Sequence, residues 1–280
     1  MSIDHEQLAQ SLDSLPAFPQ SVNKILELTA KIDVAPKDLV SVVERDIVLT
    51  ARVLKLVNSP FFGLSREVTS VQHAVVYVGI NTVKNVAISV AMSGSLPKNN
   101  DAGLDMEQFW VQSLSVGVIA KLLAERKGVP SNQSADFFVT GLLHNIGKII
   151  FAHFYPNDYK VVIDKAKEIK RPAFLVERKL LGLDHSEIGA MLAEAWQLPE
   201  NLVRGIRNHH NPKQEITEKS LALSIFTASQ IYKRINQCES DYIELPVEVE
   251  NWLGCNLQEM IQSMTELDDE IEKAMVFIKQ

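Results

Sequence analysis

The sequence of 280 residues has few of the features that mark secreted or membrane-spanning proteins. It contains only two cysteines, Cys238 and Cys255, and their spacing matches neither a metal-binding nor a redox motif. We therefore expect two free thiols in a reducing cytoplasm. The most apolar segment, residues 86–92, is too short to span a bilayer. The first ten residues contain Asp4 and Glu6 and lack the apolar run of a signal peptide. These absences predict a cytoplasmic protein that does not enter a membrane.

Charge and motif content exclude further classes of function. The chain has 28 Lys and Arg residues against 35 Asp and Glu residues, a formal net charge of −7, and no run of basic residues. We therefore do not expect nucleic acid as a partner. The sequence has no glycine-rich phosphate loop, no nucleophile elbow and no Ser-His-Asp arrangement. Its hydrophobic content of 46% is enough for a sizeable core without disulfides.

Apolar residues recur with the period of an α-helix along nearly the whole chain, and the alternation typical of strands is rare. This pattern predicts an all-α protein of two packed helical lobes. The polar, turn-rich stretch 97–103 predicts the linker between them. We expect an N-terminal lobe at residues 1–97, a second lobe at residues 104–235, and a C-terminal helical extension at residues 236–280 that packs on the domain.

Capping residues mark the starts of two predicted helices. Asp46 precedes the apolar residues of one helix, and Asp184 with Glu187 forms the pattern of a capping box at the start of another. In the second lobe and the extension we expect helices at about 106–127, at about 134–154, between Pro199 and Pro212, at about 219–235, and from residue 256 onward.

Four histidines of the second lobe are candidate site residues: His144, His185, His209 and His210. His144 lies in an otherwise apolar helical segment, where an unpaired imidazole would cost about 1–3 kcal/mol, so it needs a polar partner. The other three lie on neighbouring predicted helices that can converge with it. Because successive helical residues are rotated by about 100°, we expect only one of His209 and His210 to point inward.

At these positions the sequence resembles the HD superfamily of metal-dependent phosphohydrolases. The run 141–148 is similar to the His-Asp-x-Gly-Lys signature, and Asp184-His185 and His209-His210 are similar to later motifs of the HD-GYP branch. The N-terminal half resembles the HDOD subgroup, through the runs 45–52, 56–59, 62–63, 68–71, 74–75 and 78–79. The resemblance covers roughly residues 15–235, and it implies that the second lobe is an HD-like helical bundle.

Three positions depart from the pattern that the resemblance implies for metal ligands. Gln112 stands in place of a histidine, and Asn145 and Ser229 stand in place of aspartates. HD hydrolases use histidines and carboxylates to hold divalent metals that generate hydroxide. We therefore expect a vestigial pocket without catalytic residues or cofactor, in which these three side chains hydrogen-bond to one another.

Lys148 is expected to be a solvated helix lysine, or else to face the pocket and pair with a bound phosphate or a carboxylate. The expected pocket residues are Gln112, His144, Asn145, Lys148, His185, His209, His210 and Ser229.

The sequence leaves three functional hypotheses. The favoured one is a non-catalytic signal-transduction module that binds another signalling protein, with the old cleft as a remnant or as a sensor of a small phosphate-containing ligand. The alternative is a metal-dependent phosphohydrolase acting on a nucleotide or cyclic dinucleotide. Its divalent transition metal would be held by His144, His185, His209 and His210. The third is a metal-responsive or nucleotide-responsive sensor without catalysis.

Overall fold

The structure, a computed structural model, describes residues 20–29, 35–97, 100–214, 219–236 and 243–275, together with residues 3, 8, 11, 12, 14 and 217. Within these residues the chain forms helices joined by short turns, and no β-strand is present. The all-α fold class predicted from the apolar periodicity is therefore confirmed.

Five helices form the described part of the N-terminal lobe. They are α1 (Gln20–Thr29), α2 (Pro36–Glu44), α3 (Ile47–Val57), α4 (Val71–Val78) and α5 (Ile80–Ser95), with a short 3-10 helix, Pro60–Phe62, between α3 and α4. Asp46 caps α3 as predicted. Its Oδ1 accepts from the Leu49 N–H at 3.0 Å, and its Oδ2 accepts from the Ser21 hydroxyl at 2.6 Å. The cap therefore also ties α1 to the start of α3.

Asn58 closes the loop between α3 and α4. Its Nδ2 donates to the Val68 carbonyl at 2.7 Å, and its Oδ1 accepts from the Val68 N–H at 2.7 Å. The closed loop presents the buried Phe61 ring, whose centroid lies 4.9 Å from that of Phe138 in the second lobe. Asn58 thus stabilises a contact between the lobes.

Eight helices form the second lobe. They are α6 (Met106–Arg126), α7 (Ser131–Leu143), α8 (Ile146–Phe154), α9 (Pro156–Ile169), α10 (Ala173–Leu181), α11 (His185–Ala195), α12 (Glu200–Asn208) and α13 (Leu221–Ile235), with a 3-10 helix at Pro212–Gln214. The bounds of α6 and α13 agree with their predicted ranges to within two residues. The α6 and α7 backbones approach closely, since a Cβ built on Gly141 would lie 2.5 Å from the Gly117 Cα.

The predicted single helix at 134–154 is wrong, because the chain turns at His144 and Asn145 and divides into α7 and α8. Asn145 has φ −98° and ψ 4°, away from helical values. The break falls at the polar pair His144-Asn145, between Gly141 and Gly147, and no proline marks it in the sequence. The break places both side chains at helix ends, where they reach one cavity.

Three short helices, α14 (Val247–Leu253), α15 (Leu257–Ser263) and α16 (Leu267–Ala274), form the described part of the C-terminal segment. The single helix predicted from residue 256 onward is wrong, because Met264, with φ −92° and ψ 60°, interrupts it. Arg126 at the end of α6 holds this segment. Its Nη2 donates to Glu266 Oε1 at 2.7 Å and to the Ser263 carbonyl at 3.1 Å.

Two expectations about cellular compartment can be compared with the structure. Among the described residues one helical stretch, Gln133–Phe154, is long and apolar enough to cross a membrane, but 83% of its apolar window is buried inside the protein. The helices α4 and α5 pass the same test only when taken as one span, and they are bent by 120°. Cys255 is a free thiol, as expected, and Cys238 lies outside the described residues.

Candidate functional site

The structure brings the eight residues singled out in the sequence together around one cavity, which we call the histidine cavity. Seven of them line it: Gln112, His144, Asn145, Lys148, His185, His210 and Ser229. The eighth, His209, lies directly behind, with its ring centroid 3.9 Å from that of His210 and 5.0 Å from that of His144. These eight residues come from four separate parts of the second lobe, namely α6, the α7–α8 turn with the first turn of α8, the start of α11, and the segment from the end of α12 to α13.

The position of His185 is fixed by local structure at the start of α11. Asp184 is its N-cap, and Asp184 Oδ1 accepts from the Ser186 N–H at 2.8 Å and the Glu187 N–H at 3.1 Å. Glu187 Oε2 in turn accepts from the Asp184 N–H at 2.9 Å, so the predicted capping box is present. The close packing of α8 also fixes the position of His185, because a Cβ on Gly147 would lie 2.1 Å from the His185 carbonyl oxygen.

Three of the histidines are anchored through Nδ1. His144 Nδ1 lies 2.6 Å from the Gly141 carbonyl, and His209 Nδ1 lies 2.6 Å from the Ile206 carbonyl. His185 Nδ1 lies 2.6 Å from Glu177 Oε2. Carbonyl and carboxylate oxygens accept, so each Nδ1 carries the proton and donates. Each Nε2 is left with its lone pair, the form in which imidazole accepts hydrogen bonds or binds a metal.

The Nε2 side of this cluster is convergent. One ring nitrogen from each of His185, His209 and His210 lies within 4.8 Å of the others, and the Nε2 atoms of His185 and His210 are 2.9 Å apart. Within the described part of the chain, His209 Nε2 is buried and has no hydrogen-bond partner. Of His209 and His210 only His210 lines the cavity, but the His209 ring lies directly behind it and its ring nitrogen converges with those of His185 and His210. His209 is the C-cap of α12 and His210 lies in the turn after it, so the helical rotation no longer separates them.

Burial keeps three of the four histidines, His144, His209 and His210, uncharged. Desolvation lowers the pKa of His144 and of His210 well below the ordinary value, and the nearby His209 lowers both further. Desolvation, followed by the neighbouring His185, lowers the pKa of His209 to about 3. The Lys148 ammonium contributes to all three shifts in the same direction. These three imidazoles are therefore neutral at neutral pH.

Three residues that sequence reasoning missed complete the site: Phe174, Glu177 and Lys233. Glu177 is fully buried and accepts from the His185 ring, from the His185 backbone N–H at 2.8 Å and from the Tyr159 hydroxyl at 3.2 Å. The Phe174 ring stacks on His210 at 4.0 Å with an interplanar angle of 11°, and Lys233 lines the cavity. The sequence contains one signal for Glu177. One face of α10 carries Phe174, Glu177 and Leu181, so a carboxylate lies on an otherwise apolar stripe.

The three neutral substitutions all line the cavity, but the expectation that their side chains hydrogen-bond to one another is wrong. Gln112, Asn145 and Ser229 are all described, and no hydrogen bond joins their side chains, because each projects into the space between the helices. Lys148 is half-buried and faces the cavity, since it lies one turn after His144 on the inner side of α8. Of the two readings that the sequence left for Lys148, the cavity-facing one is therefore correct.

The residues present do not fit the metal centre of an HD hydrolase. Such a centre needs carboxylates to supply negative charge and to bridge ions, and no Asp or Glu among the described residues lines this cavity. Lys148 and Lys233 instead add positive charge. What remains is a set of imidazoles with a buried carboxylate behind His185, which is the donor set of a single transition ion such as zinc.

The histidine cavity is also small. Its volume is about 10 Å³, which is the space that one water molecule needs. Pro172, Ala173 and Phe174 form its wall at the start of α10. A phosphoryl group with its four oxygens does not fit into this space in the arrangement observed.

Comparison with known proteins agrees with this architecture. The HDOD domain family matches residues 15–212. An uncharacterized protein of Treponema pallidum is 30% identical over 239 residues, which are 85% of this chain and 46% of that protein. The chain thus spans about half the length of that relative.

Two solved structures share the whole fold. An HDOD domain protein with unknown function from Geobacter sulfurreducens is 25% identical, with a TM-score of 0.75 and coverage of 98% of both chains. A candidate phosphohydrolase from Shewanella amazonensis is 28% identical, with a TM-score of 0.74 and coverage of 96% of this chain and 97% of that one. The family match covers well over half of the sequence and includes every lining residue of the histidine cavity except Ser229 and Lys233, which lie on α13. This chain belongs to the HDOD domain family.

Proposed function

We propose that this chain is a non-catalytic regulatory module of signal transduction that acts in the cytoplasm by binding another signalling protein. The observation that carries the proposal is the lining of the histidine cavity. Gln112, Asn145 and Ser229 stand where the HD pattern has metal ligands, and no described carboxylate replaces them. Without negative charge the cavity cannot hold a pair of divalent ions or stabilise a metal-bound hydroxide.

The N-terminal lobe offers a surface for the proposed partner. Four large apolar side chains at the start of α3 and the end of α4 are exposed: Ile47 by 83%, Val48 by 63%, Val76 by 74% and Tyr77 by 56%. Exposed apolar side chains of this size support a protein-binding role when they lie together on one lobe. In this proposal residues 1–97 contact the partner, and residues 104–235 carry the former catalytic pocket.

The enzymatic half of the proposal is tested with phosphomonoester and phosphodiester substrates, including nucleotides and cyclic dinucleotides. The purified chain is supplied in turn with magnesium, manganese, iron and zinc. We expect no hydrolysis above that of the metal ion alone. Metal-dependent hydrolysis that disappears in the His144→Ala variant would overturn the proposal and restore the phosphohydrolase alternative.

The binding half is tested by crosslinking in the source cells and identification of the crosslinked protein. We expect one partner whose capture is lost when Ile47→Glu or Val76→Glu places a charge on the exposed apolar surface. Leu175→Glu is the matched control, because Leu175 is also exposed, by 42%, but lies on α10 in the second lobe. Equal capture by all three variants would contradict binding through the N-terminal lobe.

One observation favours a second function, a metal-responsive sensor without catalysis. The convergent ring nitrogens of His185, His209 and His210 and the unpartnered His209 Nε2 form a donor set for one zinc-like ion. A bound ion would supply a crosslink between α11 and the α12–α13 segment. Elemental analysis of protein purified without chelator or metal-affinity resin tests this function directly. A zinc-induced rise in Tm that is lost in His209→Ala supports it, whereas a metal-free protein whose Tm does not respond to zinc rejects it.

A further inference from the structure

A second concave site, separate from the histidine cavity, lies where the two lobes meet, and we call it the lobe groove. Its volume is about 410 Å³, within the range of small-molecule sites. One wall comes from α5 of the N-terminal lobe, and the others come from α7, α12 and the start of α13. None of the residues that line it also lines the histidine cavity.

One end of the lobe groove is cationic. Arg204 on α12 and Lys219 just before α13 line it, and both are exposed to solvent. Ser220 lines the same part and caps the 15-residue helix α13, its hydroxyl accepting from the Leu223 N–H at 3.2 Å. The first-turn amides of a helix and its dipole favour an anion, and here they add to two cationic side chains. This end of the groove is suited to a phosphate group.

The rest of the lobe groove has different chemistry. Asp136 lines it and accepts from the side-chain amides of Asn85 at 2.6 Å and Asn201 at 3.0 Å, which hold its carboxylate in place. Each carboxylate oxygen has a further lone pair with which to accept an N–H from a ligand. The buried Phe137 and the side chain of Leu221 provide apolar contact area. An apolar surface beside a fixed acceptor suits a planar heterocycle that carries N–H donors.

We propose that the lobe groove binds a nucleoside monophosphate. The phosphate would lie between Arg204 and Lys219 at the start of α13, and the base would lie against Phe137 with its N–H groups toward Asp136. A free phosphate would leave the apolar part of the groove and the carboxylate unused. An uncharged nucleoside would leave the two cations unused. The proposal concerns a site distinct from the histidine cavity and stands independently of the regulatory function proposed above.

The position of the groove gives binding a structural consequence. Each of three helices runs from the groove to the histidine cavity: α7 from Asp136 to His144, α12 from Arg204 to His209, and α13 from Ser220 to Ser229. The groove also includes Asn81 of α5, so a ligand there contacts both lobes. A ligand that binds the folded chain and not the unfolded chain raises Tm, and we expect such a rise on nucleotide binding.

The experiment is isothermal titration calorimetry on the full chain with AMP, GMP, CMP and UMP, and with inorganic phosphate and adenosine as partial ligands. We expect saturable binding of at least one nucleoside monophosphate. Removing a cation that contacts the phosphate should weaken that binding about tenfold or more, in Lys219→Ala and in Arg204→Ala alike. Lys219 is exposed, so the Tm of Lys219→Ala without ligand should stay close to that of the native chain, and the Tm of Arg204→Ala is measured beside it.

Arg207→Ala is the matched control. It removes one cation from the same helix, but Arg207 pairs with Glu194 at 2.9 Å and does not line the groove. Unchanged nucleotide affinity in this variant, together with the loss in the other two, supports the proposal. Absence of binding by all four nucleotides up to millimolar concentration would overturn the proposal. Phosphate that binds as tightly as the nucleotides would also overturn it. Normal nucleotide binding by the Lys219→Ala and Arg204→Ala variants would overturn it as well.

Discussion

Glu177 Oε2 lies 2.6 Å from the Nδ1 of His185, and both side chains are buried. The same carboxylate accepts from the His185 backbone N–H and from the Tyr159 hydroxyl, so one acidic residue serves three donors. This arrangement fixes the orientation of the His185 ring and turns its Nε2 toward His210. The histidine cavity therefore depends on a residue that does not line it.

Glu177→Ala is expected to be among the most destabilising single substitutions in the second lobe. It leaves three buried donors without an acceptor, and removing one partner of a buried pair costs about 3–5 kcal/mol. Glu177→Gln keeps the shape of the side chain and one acceptor oxygen, so it should cost less. Tyr159→Phe removes one of the three bonds and should cost about 1 kcal/mol. The free energy of unfolding in urea measures all three, and a loss in Glu177→Ala no larger than in Tyr159→Phe would contradict this role.

Gly147→Ala is expected to displace α8 from the start of α11. The added methyl would lie 2.1 Å from the His185 carbonyl oxygen and 2.9 Å from the Gly189 backbone nitrogen, and backbone atoms cannot move away easily. We expect a loss of about 1–3 kcal/mol or more.

Gly94 in α5 is the matched control for Gly147. The nearest atom to a Cβ at Gly94 is a terminal nitrogen of the Arg52 side chain at 3.6 Å, which is ordinary contact. Gly94→Ala should therefore leave the stability unchanged or raise it by up to about 1 kcal/mol, since alanine favours the helix. Thermal unfolding should therefore show a lower Tm for Gly147→Ala and an unchanged or higher Tm for Gly94→Ala. A matching fall in the Tm of Gly94→Ala would show that a general effect of alanine on helices explains the loss in Gly147→Ala.

Features set by neighbouring residues were predictable from the sequence. The caps at Asp46 and Asp184 depend on side chains and backbone amides within three residues, so a local pattern is enough to identify them. The turn at His144 and Asn145 was not predicted, because the apolar spacing resumes after it and no proline marks it, although Gly141 and Gly147 flank it. It arises from the packing of α7 and α8 against different neighbours, which no local pattern contains.

The composition of the site was predictable only as far as the motifs reach. The resemblance to HD proteins identified all eight predicted residues, which the structure places around one cavity. Glu177 belongs to no such motif, and its role follows from the meeting of α10 with the start of α11. The convergence of the His209 and His210 rings depends on where α12 ends, and helix ends are the least certain part of a prediction from periodicity.

Asn58→Ala is expected to loosen the contact between the lobes. It removes two hydrogen bonds to Val68, each worth about 1 kcal/mol, and frees the loop that presents Phe61. Asn58→Asp is the closest comparison, because it keeps the acceptor for the Val68 N–H but has no N–H to donate to the Val68 carbonyl. The free energy of unfolding should fall by about 2 kcal/mol in the first variant and by a smaller amount in the second. Equal losses would show that the bond accepted from the Val68 N–H contributes nothing.

The cap at Asp46 predicts a pH dependence of stability. The Leu49 N–H and then the Ser21 hydroxyl lower the pKa of this carboxyl in the folded chain, so folding favours its ionised form. The contribution is therefore complete above the unfolded pKa of about 3.9 and is lost as the pH falls through the lower folded value. Asp46→Asn keeps a cap but cannot ionise. The difference in the free energy of unfolding between the native chain and this variant should be constant above about pH 5 and shrink below about pH 4. A difference that does not change with pH would contradict the assignment.

Restoring carboxylates to the histidine cavity separates two reasons for the proposed lack of phosphohydrolase chemistry. If missing charge is the reason, the double variant Asn145→Asp, Ser229→Asp should bind manganese at least about tenfold more tightly than the native chain. Without metal the variant should be less stable by a few kcal/mol, because two carboxylates then share a buried site, and manganese should restore its Tm.

If the closed wall is the reason, manganese should have no effect on the double variant. It should act only after Phe174→Ala is added, which removes the ring stacked on His210 and enlarges the cavity. Phe174→Ala alone is expected to bind no manganese, because it opens the cavity without adding charge. Titration of the three variants with manganese, followed by Tm, distinguishes the two explanations.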